Sequence, residues 1–353
     1  MPTFGGSLNT NLIQSALYNM IISQDVIGGS IHANYNLVDK ARVDGSLFGD
    51  TKLYYDTPTL VSTAWEQDSE TARNLLELHR PAAPKVQAIK MGVYRQVALT
   101  KDDYLSKQAF ATEGAFSAYQ SVLDGRLTKT KEIYDNTTYN AFFGTVAAVK
   151  TIEVPLSTIT ATGEEKARQE AQMIAQYIAD TISDMKDYGY SYTANGFLRA
   201  FQESEIHACW NTAYLNKITK FDIPTIFHKE GLVDKFGEDQ LPARFFGTVN
   251  SSQTAGTSGG TVKSLVEQVI SNKHYWPGEP IATGVNAPAK TSYTVDSAVI
   301  CKIYTKLPPY MSAFNVGTSF YNGRNLSTNM YQTWGHNDLE PLASEALVVI
   351  KAA

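Results

Sequence analysis

ATEGAFSAYQSVLDGRLTKTKEIYDNTTYNAFFG, residues 111–144, is the stretch on which the reading of this chain turns. Its apolar residues Phe116, Tyr119, Leu123, Leu127, Tyr134 and Ala141 recur at spacings of three, four and seven. Those spacings line one side of a helix. Thr112 is placed to cap its start, and Gly144 to end it as a left-handed C-cap glycine. About 30 helical residues span about 45 Å, longer than a compact domain usually requires. A narrow apolar stripe of that length needs a packing partner along all of it. Two readings follow: the backbone of a thin, extended subunit, or a long helix lying across an enzyme's sheet. Periodicity alone does not separate them. Gly125, midway, costs about 1 kcal/mol of helix propensity and leaves room for a bend.

The chain has 353 residues, 43% hydrophobic and 18% charged, with a formal net charge of −5. That is ordinary globular composition, long enough for more than one core. A mildly acidic balance lacks the basic footprint of a sequence-specific nucleic-acid binder. No apolar run approaches the roughly 20 residues that a membrane-crossing helix needs, so no membrane partner is expected. The opening MPTFGGSLNTNLIQSALYNMI has no basic region followed by an apolar core, and does not read as a signal peptide. Two cysteines, Cys209 and Cys301, exclude a disulfide framework and read as buried thiols. The 20 tyrosines outnumber the 15 phenylalanines and 4 tryptophans, which suits half-buried contact surface beyond a single core.

Around the central stretch, residues 8–23 show a helical pattern, and the polar sequence after Gly28 and Gly29 reads as an arm that packs on something else. Residues 51–55 and 86–99 are rich in strand formers, with Gly92 as a candidate bulge. The charged, proline-punctuated segment 66–84 lies between them. Two strands joined in this way make a long hairpin-like excursion, or a sheet edge with a helical insertion. A lone hairpin needs a partner surface. Residues 145–159 read as a strand. Thr162 and Glu165 have capping-box spacing for a helix over 164–187, with Ala167, Ala171, Ile174, Ile178, Ile182 and Met185 as its buried stripe. Residues 188–200 read as turns, 205–210 as a strand, 212–218 as a short helix, 247–261 as a loop and 262–271 as a helix. Strands are expected at 295–305, 314–321, 326–334 and 346–351, with Asn322-Gly323 as a turn. Helices in the middle flanked by strands argue for the α+β class.

Catalytic motifs are missing: there is no P-loop, dinucleotide-binding glycine fingerprint, CxxC or GxSxG. His336, Asp338 and Glu340 alternate as metal ligands could, but their stretch ends at Pro341 and reads as a solvated turn. Glu205 and His207 share a strand face beside Cys209, where a core histidine is the default. Asp102 and Asp103 read as charges leading the long helix. Arg126, Lys129 and Lys131 flank the long helix's stripe, either as a solvated face or as a contact for a neighbouring subunit or a phosphate backbone. No catalytic residue, cofactor or metal site is assigned, and the chain is not expected to be an enzyme.

The order of elements resembles the major capsid proteins of tailed phages, the Hong Kong 97-type fold, and among them the small short-tailed phages of the phi29-like type. The resemblance rests on FGDTKLYYDT at 48–57, PKVQAIKMGVYRQVALTKDDYLSKQAFATEGAFSAYQSVLDGRL at 84–127 and FLRAFQESEIHACWNTAYLNKI at 197–218. DSAVICKIYTKLPPYMSAFNVG at 296–317 and NMYQTWGHNDLEPLASEALVVI at 329–350 complete it. It covers most of the chain by layout and carries no invariant functional motif. It implies an N-arm over 1–43, an E-loop over 44–100 and a P-domain with the spine helix over 101–159. An A-domain over 160–307 and closing P-domain strands over 308–353 follow. The implied function is a virion shell protein, assembled in the host bacterial cytoplasm as pentamers and hexamers into an icosahedral capsid around double-stranded DNA. The implied partners are copies of itself, a separate scaffolding protein, a portal, and DNA held non-specifically. Glu66, Asp68, Glu70 and Arg73 at the E-loop are then candidate intersubunit contacts, and Arg126, Lys129 and Lys131 a candidate contact face of the spine. A cellular nanocompartment shell holding an enzyme cargo, and an α+β hydrolase with an unrecognised site, are the competing readings.

Overall fold

The computed structural model describes residues 35–45, 51–60, 62, 78, 80–102, 113–220, 239–251 and 291–353. The expected helices at 8–23 and 262–271, and the candidate contacts Glu66, Asp68, Glu70 and Arg73, lie outside the described residues.

Helix α1 (Leu37–Ala41) buries Leu37, Val38 and Ala41 and runs into β1 (Arg42–Asp44). β2 (Thr51–Asp56) and β3 (Lys85–Asp102) pair antiparallel from Thr51↔Lys90 to Asp56↔Lys85. The long helix α2 spans Glu113–Thr145. β4 (Lys150–Val154), α3 (Gly163–Lys186), β5 (His207–Asn211) and α4 (Thr212–Lys220) follow. The remaining strands are β6 (Asp239–Leu241), β7 (Gly247–Ser251), β8 (Thr291–Val295) and β9 (Val299–Tyr304). β10 (Tyr310–Asn322), β11 (Ser327–Asn337) and β12 (Leu347–Ala352) end the chain. This is the expected α+β arrangement.

Two sheets share the frame. One has the order β1-β10-β11-β3-β2, and the other the order β4-β12-β9-β5-β6. In the second, alternate residues serve two cores, as the pleat requires. Trp210, Cys301, Val348 and Ile350 join Ile174, Ile178 and Met185 of α3 on one side. Cys209, Val349 and Tyr304 join Tyr139, Phe142 and Phe143 of α2 on the other. Cys209 and Cys301 therefore face opposite ways, and both are free and buried. The expected unit boundaries at 159/160 and 307/308 pass through this sheet, since β4 and β12 pair into it beside β9.

Several local expectations need correcting. Gly144 is no left-handed cap: it lies inside α2, where a Cβ would stand 1.9 Å from the Phe245 carbonyl oxygen. Its glycine serves close approach of two backbones. Thr162 precedes α3 but makes no side-chain cap bond, and Glu165 instead accepts from Gln169. The helix is entered through Gly163 at φ +68, whereas a capping box needs a helical first residue. A capping box forms instead between Gln202 and Glu205, in a 3₁₀ turn where a strand was expected. Residues 145–159 shorten to β4 plus a 3₁₀ turn at Leu156–Thr158. The start of the expected loop, 247–251, is strand β7 paired with β8, and a turn separates β8 from β9. Between β10 and β11 the left-handed residue is Leu326 (φ 50), not Gly323, because the loop holds four residues. Asp102 is the last residue of β3 rather than a lead-in to the helix. The bulge at Gly92 is present: His336 pairs Val93 while Asn337 pairs Met91.

Candidate assembly surfaces

The sheet formed by β10, β11 and β3 has two unlike faces. Pleat and register place Val93, Arg95, Val97, Leu99 and Lys101 with Trp334 and His336 on the face that meets α2. There Arg95 donates to the Tyr134 hydroxyl at 3.1 Å and Lys101 pairs with Asp124. The Tyr134 ring meets Trp334 edge-on at 5.6 Å. His336 is fully buried, with Nε2 3.0 Å from Tyr134 Oη and Nδ1 2.8 Å from the Asn337 carbonyl oxygen. It also stacks on Tyr310 at 5.2 Å. The solvated turn expected at His336 is therefore a packed strand end, and the ring's polar atoms are spent inside the subunit. Among the described residues, no group of three His, Cys, Asp or Glu side chains converges to hold a metal ion.

The opposite face carries Tyr94, Gln96, Ala98, Thr100, Tyr331, Thr333, Val316 and Phe320. Val316 (41% exposed) and Phe320 (65%) stand open, and Gln96–Thr333 and Thr100–Asn329 hydrogen bonds cross the strands. From Tyr310 to Asn322 there is no charged residue and no proline. Both are common guards of an exposed edge.

The ribbon of β2 and β3 is the other open apolar surface. Leu53 and Tyr55 alternate onto one face and stand opposite Ala88 and Val86. Tyr55 is 65% and Val86 52% exposed. The other face is engaged: Asp56 and Ile89 are buried on it. An open apolar face of this kind is a candidate contact surface.

The three basic residues of the spine do not form one uniform face. Lys129 pairs with Glu132 at 2.7 Å, one turn along the same helix. Lys131 is drawn inward, 2.9 Å from the carboxylate of buried Asp135. That carboxylate also accepts from the Tyr310 hydroxyl at 2.6 Å and lies 3.6 Å from Arg42. Arg126 is half-buried, and its carbonyl accepts from the Thr130 hydroxyl. Glu205 and His207 do not share a strand face, since Glu205 is in the 3₁₀ turn. His207 is exposed beside the Tyr304 ring rather than in the core.

Where α2 ends, Lys302 of β9 supplies what the sequence did not advertise. Lys302 is 2% exposed, and its ammonium donates to the carbonyl of Phe143 (2.7 Å), in the last turn of α2, and to that of Val146 (2.9 Å), just beyond it. Burial pulls its pKa down from the ordinary lysine value to about 7, the Cys209 thiol opposing and Lys351 adding to the fall. Nearby, Tyr304 donates to Asp239, which also holds Lys40 at 2.7 Å and so ties α1 to this joint. Burial pushes the Tyr304 hydroxyl and the Cys209 thiol well above their ordinary pKa values, so both stay protonated. A lysine between two strand formers carries no motif; only its position beneath the helix end gives it a role.

By sequence, no family model matches the chain, and no curated protein is similar to it. By structure, it superposes on a chain from the capsid of Staphylococcus phage Andhra with TM-score 0.61 at 12% identity, covering 94% of this chain and 88% of the other. The Hong Kong 97-type capsid fold is present. A chain from a structure of the head fibre and inner core protein of native bacteriophage P68 matches with TM-score 0.59 at 10% identity, covering 99% and 94%. One from the capsid of cyanophage P-SCSP1u matches with TM-score 0.51 at 8% identity, covering 94% and 93%. The fold thus extends over nearly the whole of each chain, at identities of only 8–12%.

Proposed function

We propose that this chain is the major capsid protein of a tailed bacteriophage, a structural protein of the virion without enzymatic activity. Copies assemble as pentamers and hexamers into an icosahedral shell around double-stranded DNA. The observation that carries the reading is the superposition on a phage capsid subunit over 94% of this chain. Open apolar surface on the ribbon and on the β10 strand supports it, since repeated heterologous contacts would cover both. Similarity to phage capsids favours a genome container over a nanocompartment. A net charge of −5 suits modest, non-specific contact with packaged DNA. The proposal extends to a separate scaffolding protein, a portal, and kinship with short-tailed phages of the phi29-like type.

In this reading, residues 1–43 form the N-arm and 44–100 the E-loop, with the spine and closing strands in a P-domain at 101–159 and 308–353. Residues 160–307 form the A-domain, and the pairing of β12 with β9 is proposed as the seam between the two. Glu66, Asp68, Glu70 and Arg73 are proposed to pair with a neighbouring copy. Arg126 and Lys129 are the spine residues proposed to face a neighbour or DNA, and Lys131 contributes chiefly by holding Asp135. Negative-stain electron microscopy of the purified protein, alone and with crowding agents or a co-expressed scaffold, is the test. Rings or closed shells are expected; monomers under every condition would overturn the reading.

A further inference from the structure

The end of the β2–β3 ribbon, at Asp56 and Lys85, is held by one short segment, residues 187–200. Asp56 and Lys85 are the last paired residues of the β2–β3 ladder. Asp56 is 4% exposed, and its carboxylate takes donors from two residues of the 187–200 segment. Asn195 Nδ2 donates to one oxygen at 2.7 Å, and the Arg199 guanidinium donates to the other. Lys85 Nζ donates to the Asn195 carbonyl at 2.8 Å and lies 5.0 Å above the Phe197 ring. Thus both strands are gripped at the same rung.

The gripping segment is itself braced. Gly189 and Arg199 exchange backbone hydrogen bonds of 3.0 Å, and the Asn195 amide donates to the Ala343 carbonyl at 3.0 Å. Gly196 turns the chain between them at φ +66. Two rungs further in, Gln87 donates to the Pro341 carbonyl and accepts from the Ala343 amide, each at 2.9 Å. Between ribbon and body an open crevice of about 410 Å³ remains, walled by Tyr54 and Gln87 on one side and Ala343 and Ser344 on the other. A filled core would fix the ribbon by packing. Here space is left beside the ribbon's end, and polar bonds to a buried carboxylate hold that end. Such bonds are strong and directional; loss of the carboxylate removes both, and loss of the guanidinium leaves the buried carboxylate without its cation.

We propose that residues 187–200 act as a latch on this end of the β2–β3 ribbon, with Arg199 and Asn195 closing on Asp56. The latch fixes the direction of the ribbon, and with it the angle between neighbouring copies. The second half rests on the assembly reading above.

Hydrogen exchange of the isolated subunit tests the first half. In Arg199→Met, amides of Thr51–Asp56 and of residues 85–90 should exchange at least tenfold faster, while Val299–Tyr304 and Leu347–Ala352 stay at the wild-type rate. Arg199→Lys should restore most of the protection, since an ammonium still reaches the carboxylate. Unchanged ribbon exchange, or faster exchange spread evenly over the body, would overturn the latch. The second half is read from particle diameters by electron microscopy. Arg199→Met should broaden the distribution or give open sheets, and a distribution identical to wild-type shells would refute control of angle. Wild-type protein that forms no shells would remove the assembly reading and this second half with it, while leaving the exchange result intact.

Discussion

Lys302 and Gly144 sit at the same joint and make opposite demands. A buried ammonium held by two carbonyls is costly, and its folded pKa of about 7 lies below the ordinary 10.5. Between pH 7 and 10.5 the unfolded chain therefore holds more of this proton than the folded one. The cost of burying the charge is fully felt below pH 7 and is relieved as pH rises toward 10.5. Lys302 should thus add a positive slope to stability against pH in that window, approaching about 1.4 kcal/mol per unit. Urea titrations at several pH values should show the slope flatten in Lys302→Met; parallel slopes would contradict the assignment. Gly144 asks for space instead. Because the atom its Cβ would meet is a backbone oxygen, Gly144→Ala should cost about 3 kcal/mol, seen as a lower denaturation midpoint.

At the scale of an element, the spine helix separates two uses of glycine. Gly125 is exposed, has no neighbouring atom within 4 Å of where an added methyl would stand, and does not interrupt the run Glu113–Thr145. Gly125→Ala should therefore stabilise the subunit by about 1 kcal/mol, raising the thermal midpoint measured by circular dichroism. The stripe behind the helix reading holds in part. Leu127 and Ala141 are buried, whereas Tyr119, Leu123 and Tyr134 are half-buried. The last third is buried nearly all round, Asp135, Asn136 and Asn140 included, because it passes beneath α1 and against the second sheet. A one-stripe pattern cannot announce that, since the partners are distant in sequence: Asp135 accepts from the Tyr310 hydroxyl and Asn140 donates to the Tyr35 carbonyl. Helix α3, covered on one side only, was read almost to the residue.

For the whole molecule, the open surfaces decide what can be tested. The described core does not depend on residues 66–81, since both sheets close through strands elsewhere. Deleting 66–81 should leave a folded subunit with near-wild-type circular dichroism that forms no closed shells. Normal shells from that variant would refute a bridging role for the ribbon, and with it Glu66, Asp68, Glu70 and Arg73 as contacts. The sequence carried the apolar alternation of the ribbon but not its exposure. Leu53 and Tyr55 look like any half-buried strand until the structure shows that the described chain leaves their face open.

What the sequence determined by itself was local. Helical stripes, the hairpin strands, the bulge at Gly92 and the order of elements all follow from periodicity and backbone preference within windows of a few residues. The spine helix at 111–144 was legible for that reason, to within a residue or two at either end. The tertiary structure alone decided what each element is for. Arg199 reaches Asp56 across 143 positions, and Lys302 reaches Phe143 across 159. Buried charge and close backbone contact depend on which surfaces folding brings together, and no spacing along the chain records that pairing.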